Sequence, residues 1–228
     1  MRDEILSYHE MVGREGRNLQ AGMSYHVRPG YSILLMSTRK GAPYRDRWDE
    51  ERGLLIYEGH DIQRQQDGPD PKTVDQPMRN AGGTLTANGK FYEAAKRAAH
   101  GDAAPERVRV YEKLDRGVWS DKGMFALVDA RIVPHDGRHV FEFMLQPQAD
   151  DQDTSSEPTD IAHTRMIPTH VKVEVWQRDQ GRCVICGAAD NLHYDHDLPY
   201  SKGGSSLTAS NVRILCARHN LQKSAKIE

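Results

Sequence analysis

Residues 215–223 read LCARHNLQK, and the neighbours His219 and Asn220 decide how the C-terminal part of the chain is built. Upstream, Cys183–Gly187 reads CVICG. A C-x-x-C knuckle followed about thirty residues later by C-x-x-H is the donor set of a tetrahedral zinc site. Thiolates are soft ligands and favour Zn²⁺ over Mg²⁺. Cys183, Cys186, Cys216 and His219 are therefore the candidate ligands. With four protein ligands the ion has no open position and is structural. Two readings stand beside this one: the cysteines as buried thiols, and His219 as a surface or catalytic histidine. A C-terminal module of about 60 residues has little core, and a metal clip supplies stability that burial cannot.

The bulk numbers leave room for this. The chain has 228 residues, enough for one large or two small domains. Hydrophobic residues make up 37% and charged residues 28%, a polar but globular composition. Its three cysteines, an odd number all within the last fifth, argue against a disulfide framework. The net charge of −2 excludes a histone-like, non-specific nucleic-acid binder. Residues 1–146 balance 22 bases against 22 acids, whereas residues 171–228 hold eight bases and six acids. A nucleic-acid surface is permitted but not demanded. The N-terminus, MRDEILSYHEMVGREGR, is not a secretory leader, and no apolar run approaches a membrane span, so no membrane partner and a cytoplasmic location are expected.

The acidic, Ser/Thr/Pro-containing stretch QPQADDQDTSSEPTD (residues 146–160) reads as a solvated linker. It divides the chain into residues 1–147, a linker at 148–160, and residues 161–228. Before it, strand signals dominate: 31–37, 53–59, 106–114, 123–133 and 139–147, with VRVYEKL and VFEFML alternating as half-buried strands should. One helix is expected over 89–101. After the linker, 169–181 reads as a helix, LHYDHDLPYSKGGSS as a strand pair joined by a Gly-rich turn, and residues 208–226 as a capped helix. The expected fold class is α+β: a curved β-sheet or barrel with one or two helices, then a small zinc-stapled module.

The segment LHYDHDLPYSKGG…SNVRILCARHNLQK resembles the HNH, or ββα-metal, nuclease motif over residues 171–226. Asp-His, x-x-Pro, a Gly-Gly turn, Asn, the second knuckle and Asn-x-x-Lys follow in the family's order and spacing. The resemblance implies His196 as general base for phosphodiester hydrolysis. It implies Asp195 and Asn220 as ligands of a catalytic divalent ion, Mg²⁺ or Mn²⁺. Asn211 would tie the loop and orient the histidine, and Lys223 or Arg213 would meet phosphate. Adjacent strand residues point to opposite faces, so the strand must end or twist at Asp195–His196. The plainer readings are Asp195 and His196 as turn residues, Asn211 as a cap, and His193 as a strand histidine rather than a ligand.

GYSILLMSTRKGAPYRDRWDEERGLLIYEGHD (residues 30–61), with VDQPMRNAGGTL, ERVRVYE and VFEFMLQP, resembles an SRA (SET and RING-associated, PUA-like) domain over about residues 22–148. The resemblance implies recognition of 5-methylcytosine by base flipping, with 5-hydroxymethylcytosine a second candidate. Tyr44 and Tyr57 would sandwich the base, and Asp46 would accept from its amino group. Asp49 and Trp48 are alternatives, and Tyr57 has a plain reading as a packed strand residue.

Together the two resemblances imply a modification-dependent restriction endonuclease acting on double-stranded DNA that carries modified cytosine. One HNH site cuts one strand, so a homodimer is expected. The alternatives are a nicking nuclease whose first domain reads sequence or structure, and a non-enzymatic modified-DNA binding module.

Overall fold

In the computed structural model, residues 4–28, 30–148, 167–198 and 205–223 are described. The acidic stretch from 149 and the Gly203–Gly204 turn lie outside them. The elements are β1 (Glu4–Ser7), α1 (Tyr8–Glu15), β2 (Met23–Arg28), β3 (Tyr31–Met36), β4 (Arg47–Asp49), β5 (Leu54–Glu58), α2 (Ala87–Ala99), β6 (Glu106–Asp115), β7 (Val118–His135), β8 (Arg138–Pro147), α3 (Thr169–Arg178), β9 (Leu192–His196), a 3-10 turn (Ala209–Asn211), β10 (Val212–Cys216) and α4 (Ala217–Lys223). The class is α+β. No helix among the described residues is long and apolar enough to cross a membrane.

The chain divides into two compact units, and neither is one continuous segment. The first comprises Met1–Asn18, Tyr111–Gly123 and Ala149–Glu228; the second comprises Leu19–Val110 and Met124–Gln148. A single boundary at the acidic stretch does not reproduce this division. Two segments expected within 1–147 belong with the C-terminal residues instead, and strand pairing is the reason.

In the second unit, β5 pairs antiparallel with β4 and β8, β8 pairs with the later part of β7, and β2 pairs with β3. The turn from β7 to β8 is Asp136-Gly137, both with left-handed φ (47° and 77°), the geometry of a two-residue hairpin. The alternation read in VFEFML places Phe141, Phe143 and Leu145 in the core with Leu34, Leu55, Phe91, Val110 and Phe125. Helix α2 begins two residues before its expected start, because the Thr86 side chain accepts from the Gly89 amide. It buries Phe91, Ala94 and Ala95.

In the first unit, β1 hydrogen-bonds on both edges. Glu4–Ser7 pair with Val118–Asp121 of β7, and Glu4 and Ile5 pair with His193 and Leu192 of β9. A capping box between Ser7 and Glu10 turns the chain directly into α1. The core gathers Ile5, Val171, Val175, Leu192, Tyr194, Val212, Ile214 and Leu215. The helix expected over 208–226 is not formed as one element. Val212–Cys216 is a strand paired with Leu192–His196, and among the described residues of the span the α-helix runs over 217–223. β-Branched Val212 and Ile214 alternate with Arg213, and this suits a strand better than a helical turn. β9 is accordingly flanked by β10 and β1, and the Gly-rich turn of the strand pair expected over 192–206 lies outside the described residues.

The unit also buries charge. Glu112 is fully buried and accepts from Lys122 Nζ at 2.7 Å and from the Thr169 hydroxyl. Lys172, equally buried, donates to Ser120 Oγ at 3.0 Å. Burial alone would raise the Glu112 pKa; Lys122, Lys172 and the hydrogen bonds from Lys122 and Thr169 bring it down to about 2. Glu112→Gln removes the buried carboxylate that offsets the Lys122 and Lys172 charges, a loss of about 3–5 kcal/mol. Urea unfolding should show a markedly lower midpoint for the variant; an unchanged midpoint would mean the carboxylate carries no charge balance there.

Candidate functional site

The zinc-type ligands converge. The ligand atoms of Cys183, Cys186, Cys216 and His219 all lie within 4.8 Å of one another. Cys186 Sγ is 3.8 Å from Cys216 Sγ, and His219 Nδ1 is 3.4 Å from both Cys183 Sγ and Cys216 Sγ. A zinc tetrahedron with Zn–S near 2.3 Å and Zn–N near 2.0 Å has edges of about 3.5–3.8 Å, so the four residues fit that ion. The backbone prepares the knuckle: Gly187 N donates to Cys183 O, and Cys183 N donates to Ala188 O. Burial pushes the Cys183 thiol up, but backbone N–H groups of Cys216, Cys186 and Ile185, with the His219 ring, outweigh it and bring the pKa to about 6. His193 lies outside the cluster, opposite Glu4 and Leu215 on the neighbouring strands.

The next cluster sits where β9 ends. Asp195 and His196 are the last two residues of that strand, and their side chains have different partners. His196 Nε2 is 2.8 Å from Ser206 Oγ, a hydroxyl that is itself buried. Asp195 Oδ2 accepts from Lys223 Nζ, and Arg213 Nε stands 4.0 Å from the same oxygen. Lys223 also donates to the His196 carbonyl and is buried. Asn211 holds the following loop: its Oδ1 accepts from Leu198 N at 2.8 Å, and its Nδ2 donates to Leu198 O and Ser205 O. On α4, His219 and Asn220 are both within one turn of Lys223; His219 belongs to the cysteine cluster, and Lys223, four residues on, reaches Asp195.

In the second unit a cleft of about 580 Å³ is lined by His60, Asp61, Arg79, Asn80, Asn88 and neighbouring loop residues. Tyr44 stacks on the His60 ring, with centroids 4.6 Å apart and planes within 6°. Lys72 Nζ lies 4.4 Å from the Tyr44 ring centre. The ring partner of Tyr44 is thus His60 and not Tyr57. Tyr57 is a core residue, 1% exposed, whose hydroxyl meets His60 Nε2 at 2.8 Å. Asp46 is also buried, and its carboxylate oxygens accept from the Ser37 and Glu58 amides, both at 3.0 Å. Asp49 accepts from the Arg52 amide, and Trp48 packs on the core.

Gln76 and Asn88 explain how His60 is held. Gln76 donates to Gly59 O at 2.6 Å and accepts from Phe141 N at 2.8 Å, bridging the end of β5 to β8. Asn88 accepts from His60 N and donates to His60 O, both at 2.8 Å. These amides approach so closely that a Cβ on Gly59 would lie 2.7 Å from Gln76 Oε1 and 2.8 Å from Asn88 Oδ1. Sequence reading missed His60. Its one signal is position, immediately after a strand and beside a tyrosine motif. Burial lowers the His60 pKa to about 4, against the pull of Asp61.

No family model and no curated protein matches the chain. Solved structures do. The SRA domain of SUVH5, in complex with fully methylated CG DNA, aligns at 18% identity over 65% of this chain and 90% of that one, with a TM-score of 0.45. ScoMcrA, a type IV phosphorothioation-dependent restriction endonuclease, aligns at 15% identity over 99% of this chain and 55% of that one, with a TM-score of 0.44. The DNA modification-dependent restriction endonuclease AspBHI aligns at 16% identity over 60% of this chain and 65% of that one, with a TM-score of 0.36. This chain therefore matches about half the length of ScoMcrA and under two thirds of AspBHI. With TM-scores below 0.5, what these proteins bind and cut is a statement about them.

Two outcomes follow from the geometry. Stripping metal with a strong chelator should lower the thermal midpoint of the full chain, and Cys216→Ser should mimic the loss without chelator; cobalt reconstitution should give the visible spectrum of a tetrahedral thiolate site. His60 adds a pH dependence. Its folded-state pKa of about 4 lies below its usual 6.5, so the unfolded chain binds the proton more readily. The stability from burying the neutral ring is complete above pH 6.5 and is lost as the pH falls towards 4, on the order of 3 kcal/mol. Thermal midpoints between pH 7 and pH 5 should fall more steeply in the natural chain than in His60→Phe; parallel curves would contradict this.

Proposed function

We propose that this protein is a modification-dependent DNA endonuclease, with an SRA-like unit that reads 5-methylcytosine and an HNH-type unit that cuts. The observation that carries the reading is the arrangement around β9. Three cysteines converge on His219 of α4, and one turn further along that helix Lys223 is joined to Asp195 and the His196 carbonyl.

In this reading Cys183, Cys186, Cys216 and His219 hold a structural Zn²⁺. Asp195 and Asn220 hold a Mg²⁺ or Mn²⁺ ion, which when bound supplies charge neutralisation at the scissile phosphate. The imidazole of His196 accepts the proton of the attacking water, with Ser206 fixing the ring. Asn211 keeps the loop after His196 closed, so the histidine backbone does not drift. Arg213 and Lys223 place positive charge beside the phosphate. On the reading side, the flipped base is received beside the Tyr44–His60 pair, and the stacking energy offsets the few kcal/mol of unstacking. Asp46 positions the loop that carries Tyr44. A homodimer supplies the second cut of a double-strand break.

One plasmid prepared with and without cytosine methylation tests the reading. Cleavage should depend on methylation, and equal rates would sink the reader. His196→Ala should abolish cutting while leaving affinity for methylated duplex intact; undiminished cleavage in that variant would remove His196 from the chemistry.

A further inference from the structure

Strands β5 and β8 place Glu58 directly opposite Glu142. Both are buried, at 2% and 3% exposure, and like charges at such a cross-strand position repel. Four arginines surround them. Arg45 Nε lies 2.8 Å from Glu58 Oε2 and Arg138 Nη2 3.6 Å from Glu58 Oε1. Arg47 Nη2 lies 2.8 Å from Glu142 Oε1 and Arg131 Nη2 2.7 Å from Glu142 Oε2. Arg138 is internal and also holds Asp61 at 2.6 Å. The side chains of Arg45, Arg47 and Arg131 are 41%, 43% and 45% exposed. The strand registers set Arg47 opposite Ile56, two residues from Glu58, and Arg131 opposite Glu142, so the latter two arginines share the face of the glutamate pair. Arg45 is held again by His135, whose Nδ1 accepts from its Nη1 at 2.8 Å. Asp136 is the nearby exposed acid, and it pairs with the other nitrogen of His135.

With Arg138 shared between Glu58 and Asp61, Arg45, Arg47 and Arg131 still converge on the two glutamates, and all three keep nearly half their surface in solvent. An arginine steadied by a buried carboxylate has already lost rotamer freedom, so binding an anion costs it less. Its planar fork matches phosphate oxygens. We infer that Arg45, Arg47 and Arg131 form a pre-organised surface that grips the phosphodiester backbone of duplex DNA. This deepens the DNA-reading function proposed above and rests on it.

Fluorescence anisotropy of the full chain in a His196→Ala background, with duplexes bearing cytosine or 5-methylcytosine, provides the test across a series of salt concentrations. Arg47→Gln and Arg131→Gln each leave Glu142 one partner, and Arg45→Gln leaves Glu58 paired with Arg138, so three independent variants probe the ladder. Each should weaken both duplexes by a similar factor and flatten the log–log salt slope by about 0.9 for every phosphate no longer neutralised. Arg107→Gln, at an exposed arginine outside the ladder, should change neither. Unchanged slopes in the folded variants would overturn the ladder, and so would failure of the parent chain to bind duplex. A methyl preference with unaltered slopes would sink the ladder alone; flattened slopes without any methyl preference would sink the base reader alone.

Discussion

Glu112 is the charge around which the first unit is arranged. Its carboxylate joins Lys122 on β7 to Thr169 at the start of α3, and Lys172 on the same helix reaches Ser120 on β7. Nothing in this cluster touches a substrate. It fixes α3 against the β6–β7 strands, and α3 in turn receives the Tyr194 hydroxyl on its Lys172 carbonyl at 2.8 Å. The strand that carries Asp195 and His196 is thus oriented through a buried ionic network that tolerates few other geometries.

The two metal-type clusters are tied together by one short helix, α4. His219 and Lys223 lie four residues apart on α4, neighbours one turn apart, and they reach the cysteines and Asp195 respectively. The proposed zinc site therefore does more than stabilise a small core. It would also hold the start of the helix whose Lys223 meets Asp195.

What was legible in the sequence had a fixed spacing. The knuckles, the Asp-His pair and the alternating β8 strand all depend on short offsets that the fold preserves. What was not legible depended on partners far away. VRILC supports a helix or a strand on its own, and only pairing with β9 decides it. EILS gave no strand signal, because four residues are too few to show a period, yet β1 bonds on both edges. Tyr57 and His60 lie three residues apart in one motif. Which ring faces Tyr44 is settled by Asn88 and Gln76, whose amides fix the His60 backbone and the end of β5.

The double pairing of β1 has a consequence during synthesis. Glu4 is made about 190 residues before its partner His193. The second unit has all its strands by Gln148, so it can close while the first unit is still lacking β9 and β10. The strand that carries Asp195 and His196 is thus completed only after every strand of the second unit has been made.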